Sequence, residues 1–194
     1  MAYIGMRYVV CAKVSAHSAG AEPTYTAGMV MGKAISGNLT INRNTTPLYA
    51  DDGIAEDDNS ITSMELEIGL DDMLEDVQEY IGLLEKKTSG TPAVTTYYDT
   101  DAAANEVGVG YIRVRRKNGA TKYQALWIYN AMFSITSEQA QTKGEQIEWQ
   151  TPTATGRCKP LDVDGSGKRK FRKRQIFDTE AAAKSYLNGL AGIT

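Results

Sequence analysis

SITSMELEIGLDDMLEDVQEYIGLLE, residues Ser60 to Glu85, changes its periodicity half-way along. Met64, Leu66, Ile68 and Leu70 alternate with Ser63, Glu65, Glu67 and Gly69, the period-two pattern of a strand with one buried face. Farther on, Met73, Leu74, Val77, Tyr80, Ile81 and Leu84 recur at spacings of one, three and four, the stripe of an amphipathic helix. Asp72-x-x-Glu75 has the form of a capping box, and Asp71 and Asp72 suit the positive end of a helix dipole. A strand thus passes its buried face into a helix with almost no loop between them.

Outward from this centre, Met6–Val14 reads as a first strand, with Tyr8 and Val10 opposite Arg7, Val9 and Cys11. Lys33–Asn44 reads as a second, half-buried one. Ile35, Gly37, Leu39 and Ile41 face one way, and Ser36, Asn38, Thr40 and Asn42 the other. The clearest hairpin joins Val107–Lys117 to Thr121–Ile135 through Asn118-Gly119, the dipeptide favoured in type I′ turns. In its second arm Ala125, Trp127, Tyr129, Ala131, Phe133 and Ile135 share one face, and Leu126, Ile128 and Met132 the other. The glycines of GVGYIRV sit inside a strand pattern, where they point to close backbone approach. Ala93–Asp99 and Gln146–Thr151 read as short strands and Lys168–Phe177 as a basic one. Asp178 or Thr179 caps a final short helix through Leu190, closed by Gly192. Long loops are expected at about 15–32, 45–59 and 152–168. Together these elements predict a single, mainly β domain: an antiparallel β-sandwich or barrel with one flanking α-helix and a short C-terminal helix.

The 42% hydrophobic share can fill one core in a chain of 194 residues. A pI near 5.3 excludes a uniformly cationic protein. No apolar run approaches the roughly 20 residues of a membrane span, and the N-terminal residues lack the form of a secretory signal. The expectation is a soluble protein made in the cytoplasm. Cys11 and Cys158 are too few for a disulfide scaffold and too isolated for a zinc site. The only histidine, His17, lies among Ser, Ala and Gly, so a histidine-based nucleophile has little support. Glu65/Glu67 and Asp71/Asp72 read as solvated acids rather than an acid–base pair. DVDGSG, Asp162 to Gly167, opens like a calcium loop but lacks the third ligand and the closing Glu, and reads as a turn. Neither a catalytic residue nor a cofactor or metal ligand is singled out.

Charge is segregated along the chain. Asp51 to Glu85 holds thirteen acidic residues and no basic one. Arg113, Arg115, Arg116, Lys117 and Lys122 gather on the hairpin, and eight more bases lie between Arg157 and Arg174. Six of them form KRKFRKR, Lys168 to Arg174. That segment can contact phosphates or meet the acidic block of a neighbouring copy, and the acidic total favours the second. Within the acidic loop, Leu48, Tyr49 and Ile54 favour docking over free solvation.

GKAISGNLTI, LYADDGIAEDDN, ITSMELEIGLDD running into MLEDVQEYIGLL, GVGYIRVRRKNGATKYQALWIYNAMFS and FRKRQIFDTEAAAKSYL follow one another over nearly the whole chain. In that order they resemble the major tail tube proteins of long-tailed, non-contractile phages of Gram-positive bacteria. The resemblance implies a sandwich or barrel flanked by a helix, the fold also of the type VI secretion tube protein, with no enzymatic activity. It implies hexameric rings whose inner strands join in one barrel, stacked into a tube that conducts genomic DNA into the host. The implied partners are other copies, a tape measure protein, tail terminator and distal tail proteins, and DNA in transit. The implied location is the virion tail, assembled in the host cytoplasm. Leu48, Tyr49, Asp51, Asp52, Ile54, Arg113, Arg115, Lys170 and Arg172 are then expected at subunit contacts, and Glu65 and Glu67 on the channel wall. The alternative is a nucleic-acid-binding module that uses Lys168–Arg174.

Overall fold

The computed structural model describes residues 2–50, 53–58, 60–87, 94–97, 104–134 and 151–193. Its strands are β1 (Ala2–Ala16), β2 (Thr24–Gly32), β3 (Ala34–Arg43), β4 (Thr46–Ala50), β5 (Gly53–Asp58), β6 (Ile61–Leu70), β7 (Leu84–Lys87), β8 (Val94–Tyr97), β9 (Val107–Lys117), β10 (Ala120–Ser134), β11 (Thr153–Cys158) and β12 (Arg172–Phe177). The helices are α1 (Glu75–Ile81) and α2 (Glu180–Ala191). Eight strands form one antiparallel sheet in the order β2-β1-β9-β10-β11-β6-β3, with β12 also on β10. β4 pairs with β5 and β7 with β8, each as a separate two-stranded ribbon. The protein is mainly β and antiparallel, and its main strands belong to one sheet rather than two stacked ones.

The sheet curls because of how its ends are joined. β2 and β3 stand at opposite ends of the strand order, yet only Lys33 separates them. The space a side chain at Gly37 of β3 would take is filled by the sulfur of Met6 on β1. Asp71, just after β6, fastens this corner. Its Oδ1 accepts the Lys33 N–H at 2.9 Å, and its own N–H donates to the Lys33 carbonyl at 3.0 Å. Gly32 bends the chain into the corner at φ 149°, where an added Cβ would strike the Asp72 carbonyl.

The predicted burial of β6 holds. Met64, Leu66, Ile68 and Leu70 are buried and Glu65 and Glu67 are exposed. Burying each of those apolar side chains contributes roughly 1.5–3 kcal/mol. The helix that follows is shorter than its apolar stripe predicts. α1 has seven residues, starts after Leu74 with no side-chain cap, and ends at Gly82 in the left-handed conformation. The expected Asp72 capping box is not formed, and Asp71 serves the Lys33 corner instead of the helix. Val77 and Ile81 are buried as predicted, but Leu74 is 61% exposed and Leu84 belongs to β7. Tyr80 ties α1 across two strands, accepting from the Lys13 N–H at 2.7 Å and donating to the Thr26 carbonyl at 3.0 Å.

Both faces of the sheet carry a core. One contains Val9, Leu66, Ile68, Val77, Tyr111 and Ile128. The other packs α2 through Ala183, Leu187 and Ala191 against Val10, Ile112 and Trp127. Trp127 lies where side chains on Gly108 and Gly110 would stand, the close approach their sequence context predicts. The predicted face of β10 is corrected in its second half. Ala125, Trp127 and Tyr129 face α2, whereas Ala131 and Phe133 join Leu126 and Ile128 in the first core. An irregularity between Ile128 and Ala131 shifts the phase by one residue. There β10 exchanges partners, from β12 along Tyr123–Ile128 to β11 along Ala131–Ser134.

Other boundaries also move. The 15–32 loop contains β2, paired with β1, and β1 extends past both predicted ends. The 45–59 loop contains the β4–β5 hairpin, and β11 occupies the start of the 152–168 loop. β3 forms as predicted but is exposed almost throughout, with Ile35 at 55%. Asn118-Gly119 makes the expected turn, with φ 50° and 79°, and Thr179 caps α2 by accepting from the Ala182 N–H. Most of the predicted Gln146–Thr151 strand lies outside the described residues.

Val77 is 2% exposed, so Val77→Asp should lower stability by about 3 kcal/mol or more in urea unfolding, or leave the chain insoluble. The hydrogen bond from the Lys33 backbone, aided by the Lys33 ammonium, holds the Asp71 carboxyl below its ordinary value. A depressed carboxyl contributes its stabilisation above the unfolded-state value and loses it as pH falls through the folded one. Asp71→Ala should therefore melt below wild type at pH 7, and the gap should close as pH drops from about 5 towards 2; melting curves across that range test it.

Candidate functional site

Two charged regions of the sheet stand apart, one with an acidic excess and one basic. The first lies on the outer side of β3, β6 and β11, behind the buried face of β6. Register places Thr40, Glu65 and Arg157 in one row and Asn38, Glu67 and Thr155 in the next. Asn42 donates to Ser63 Oγ at 2.9 Å beside them. This surface ends at β3, the last strand of the sheet, which among the described residues pairs on one side only.

The second is the arginine-bearing margin of the first core on β9, β10 and β12, near the start of β1. There Tyr111, Gln124, Leu126 and Ile128 are buried, Arg113, Arg115 and Arg172 half-buried and Arg174 exposed. Across these strands Tyr111, Leu126 and Arg174 form one row, and Arg113, Gln124 and Ile176 the next, with Met6 of β1 beside Arg113. Arg115 and Lys122 pair in the row beyond, and Arg172 sits opposite Ile128. The Arg113 guanidinium lies 5.3 Å from the Tyr3 ring and 5.4 Å from the Tyr111 ring, and donates to Tyr111 Oη at 2.9 Å. Arg115 lies 5.7 Å from the Tyr3 ring, and its Nε is buried without a hydrogen-bond partner. Tyr3 Oη donates to Oε1 of the buried Gln124 at 3.1 Å. Among the described residues, Arg113, Arg115, Arg172 and Arg174 have no ion-pair partner. Exposed Tyr3 and Ile176 supply apolar area among these cations.

The predicted contact residues are thus divided. Arg113, Arg115 and Arg172 come together on one surface. Lys170 does not join them: it pairs with Asp164 and bridges to Leu161, and this pairing holds the Asp164 carboxyl down at about 2. Lys173 turns to the α2 side and pairs with Glu22. Asp51, Asp52 and the side chains of Leu48, Tyr49 and Ile54 lie outside the described residues. Tyr3 and Gln124 escaped the sequence reading, and Arg174 was read only as the end of the basic Lys168–Arg174 segment. Counting outward from the Asn118-Gly119 turn sets Gln124 opposite Arg113, but the register of β12 is not written locally.

A catalytic constellation is not assembled among the described residues. His17 is exposed and reaches only the Asp162 carbonyl, at 3.4 Å. The Asp162 carboxylate accepts the backbone N–H groups of Gly165 and Gly167, as a turn does. No cluster of three or more His, Cys, Asp or Glu among the described residues could hold a metal, and no described helix is long and apolar enough to cross a membrane. A groove of about 580 Å³ lies between β1, the Lys33 corner and the start of α2, with Met6, Val30 and Leu74 among its lining. Comparison with known proteins finds no matching family model and no matching curated relative.

Burial pushes both thiols, Cys11 and Cys158, up to about 12. At neutral pH neither should react with a thiol reagent until the protein unfolds. Titration with and without denaturant should give no fast thiol in the first case and two in the second.

Proposed function

We propose that the chain is a structural protein, a tail tube subunit of a long-tailed, non-contractile phage. The observation that carries this reading is the combination of a free edge strand with a polar, acid-bearing surface. β3 offers ten residues with no proline, and its single lysine neighbour, Lys33, lies outside the strand at the corner. Such an edge invites a strand from another copy. Copies joined edge to edge would carry the rows of Glu65 and Glu67 around a common channel. Duplex DNA has about one negative charge per 1.7 Å of axis, so an acidic wall lets it pass where a cationic wall would hold it. The acidic β4–β5 hairpin, including Leu48, Tyr49, Asp51, Asp52 and Ile54, and the arginine surface then serve contacts between copies. Hexameric rings, their stacking into a tube, the tape measure, terminator and distal tail partners, and location in the virion tail belong to the same proposal.

One observation favours a second reading. The unpaired arginines with Tyr3 could bind a nucleic-acid backbone, as in a binding module that also uses Lys168–Arg174. Negative-stain microscopy of the purified protein separates the two. Rings or tubes without DNA support the first, and a small particle that shifts with duplex DNA at low salt supports the second. Within the first reading, Glu65→Lys/Glu67→Lys should assemble and slow DNA ejection, with the defect easing as salt rises. Failure to assemble would make these residues contact partners, and normal ejection would remove them from the channel.

A further inference from the structure

We propose that the arginine surface of β9, β10 and β12 receives the acidic β4–β5 hairpin of a second copy of this chain. The pairing rests on the self-assembly reading above and specifies which surfaces meet. The surface holds Arg113 and Arg115 one row apart on β9 and Arg172 and Arg174 one row apart on β12, about 7 Å lengthwise within each pair and about 10 Å across β10 between the strands. The two guanidinium groups on each strand repel one another, and among the described residues no carboxylate forms an ion pair with any of the four within the chain. Arg115 adds a buried Nε that lacks an acceptor, and buried donors are costly to leave unsatisfied. Apolar Tyr3 and Ile176 lie exposed among them, at 51% each. Together these features fit an acidic partner with some apolar content.

The β4–β5 hairpin has that composition. Its strands pair with each other and with no strand of the main sheet, and a lone two-stranded hairpin is marginal in water. Pro47 to Asp58 carries Asp51, Asp52, Glu56, Asp57 and Asp58, no base, and Leu48, Tyr49 and Ile54 among them. Opposite charge steers the two surfaces together and fixes their register. The two patches differ, so copies that pair them meet through unlike surfaces.

Charge reversal on the full chain tests the pairing. Arg115→Glu/Arg174→Glu reverses the surface, and Glu56→Lys/Asp57→Lys reverses the hairpin; melting curves check that each variant folds. Arg174→Glu alone, at an exposed residue, carries the test if the double variant melts early. Each reversal should raise the critical concentration for assembly about tenfold or more in sedimentation velocity. An equimolar mixture should assemble like wild type, because each reversed hairpin finds a surface of opposite sign on the other chain. Folded variants that assemble normally would overturn the pairing and leave the tail tube reading standing. Rescue seen only with all four substitutions in one chain would mean that the hairpin folds onto its own copy, and would overturn it too. Loss of duplex DNA retention with assembly intact would make the surface a nucleic-acid site. A wild-type protein that stays monomeric at every concentration would defeat the tail tube reading itself.

Discussion

β2 and β3 are the two ends of the main sheet, and a single residue joins them. The sheet cannot lie flat under that constraint, because its first and last strands must meet at Lys33. Asp71 makes the meeting stable by taking up both backbone groups of Lys33, so the end of β6 is pinned to the corner as well. The buried face of β6 is thereby turned inward, and α1 follows at once to fill the same core. The shortness of α1 fits this position. A helix of seven residues is too short to be stable alone, and Val77, Ile81 and the Tyr80 hydroxyl hold it against the strands.

A sheet with a core on each side needs its alternation interrupted wherever coverage changes. Tyr8, at φ 54°, marks such a point on β1: Met6 packs in the first core, and Tyr8, Val10 and Ala12 in the second. The irregularity near Asn130 does the same on β10. There the buried Asn130 side chain donates to Glu106 at 2.8 Å and leaves its own Oδ1 without a partner, while the Asn130 backbone carbonyl accepts the N–H of Lys159, whose ammonium pairs with Glu106. Burial alone would raise the Glu106 carboxyl, yet the hydrogen bonds from Asn130 and Lys159 hold it below its ordinary value. A small polar network therefore satisfies the backbone where the ladder is broken, as buried polar groups require.

Those interruptions set what could be read in advance. β6 was legible because one partner face is buried along its whole length, so its alternation is unbroken. Asn118-Gly119 and Thr179 were legible because turn and cap chemistry is local. The phase of β10 beyond Tyr129 was not, since the shift depends on β11 and β12, which lie far along the chain. β2 was missed because its anchors change cores along the strand: Tyr25 packs in the second and Met29 and Met31 in the first, with Ala27 at φ 51° between them. Leu74 misled the helix boundary: it sits on the apolar stripe but lies outside α1, facing solvent. Of the candidate surfaces, the outward direction of Glu65 and Glu67 followed from β6 alone. The arginine cluster did not, because Arg174 reaches Arg113 only through the pairing of β12 with β10.

Twenty-four acids and twenty-one bases leave a net charge of −3, too little for the total to act strongly on a partner. Placement has to carry the effect. Several cations are already committed within the chain: Lys122 to Asp178, Lys159 to Glu106, Lys170 to Asp164, Lys173 to Glu22, and Arg7 and Lys184 to Glu180. Exposed pairs of this kind contribute little to stability, but they remove positive charge from the surface. Among the described residues, Arg113 and Arg115 of β9 and Arg172 and Arg174 of β12 stay without an ion pair on the face of the sheet that carries the first core, whereas Glu65 and Glu67 of β6 point away from that core. If the arginine surface is covered in the assembly, its cations are withdrawn from solution and the outer rows of β6 dominate the remaining field. The same segregation that lets copies recognise one another would then leave a channel wall with an acidic excess, Glu65 and Glu67 against the single Arg157 beside Glu65, with no requirement for a highly charged chain.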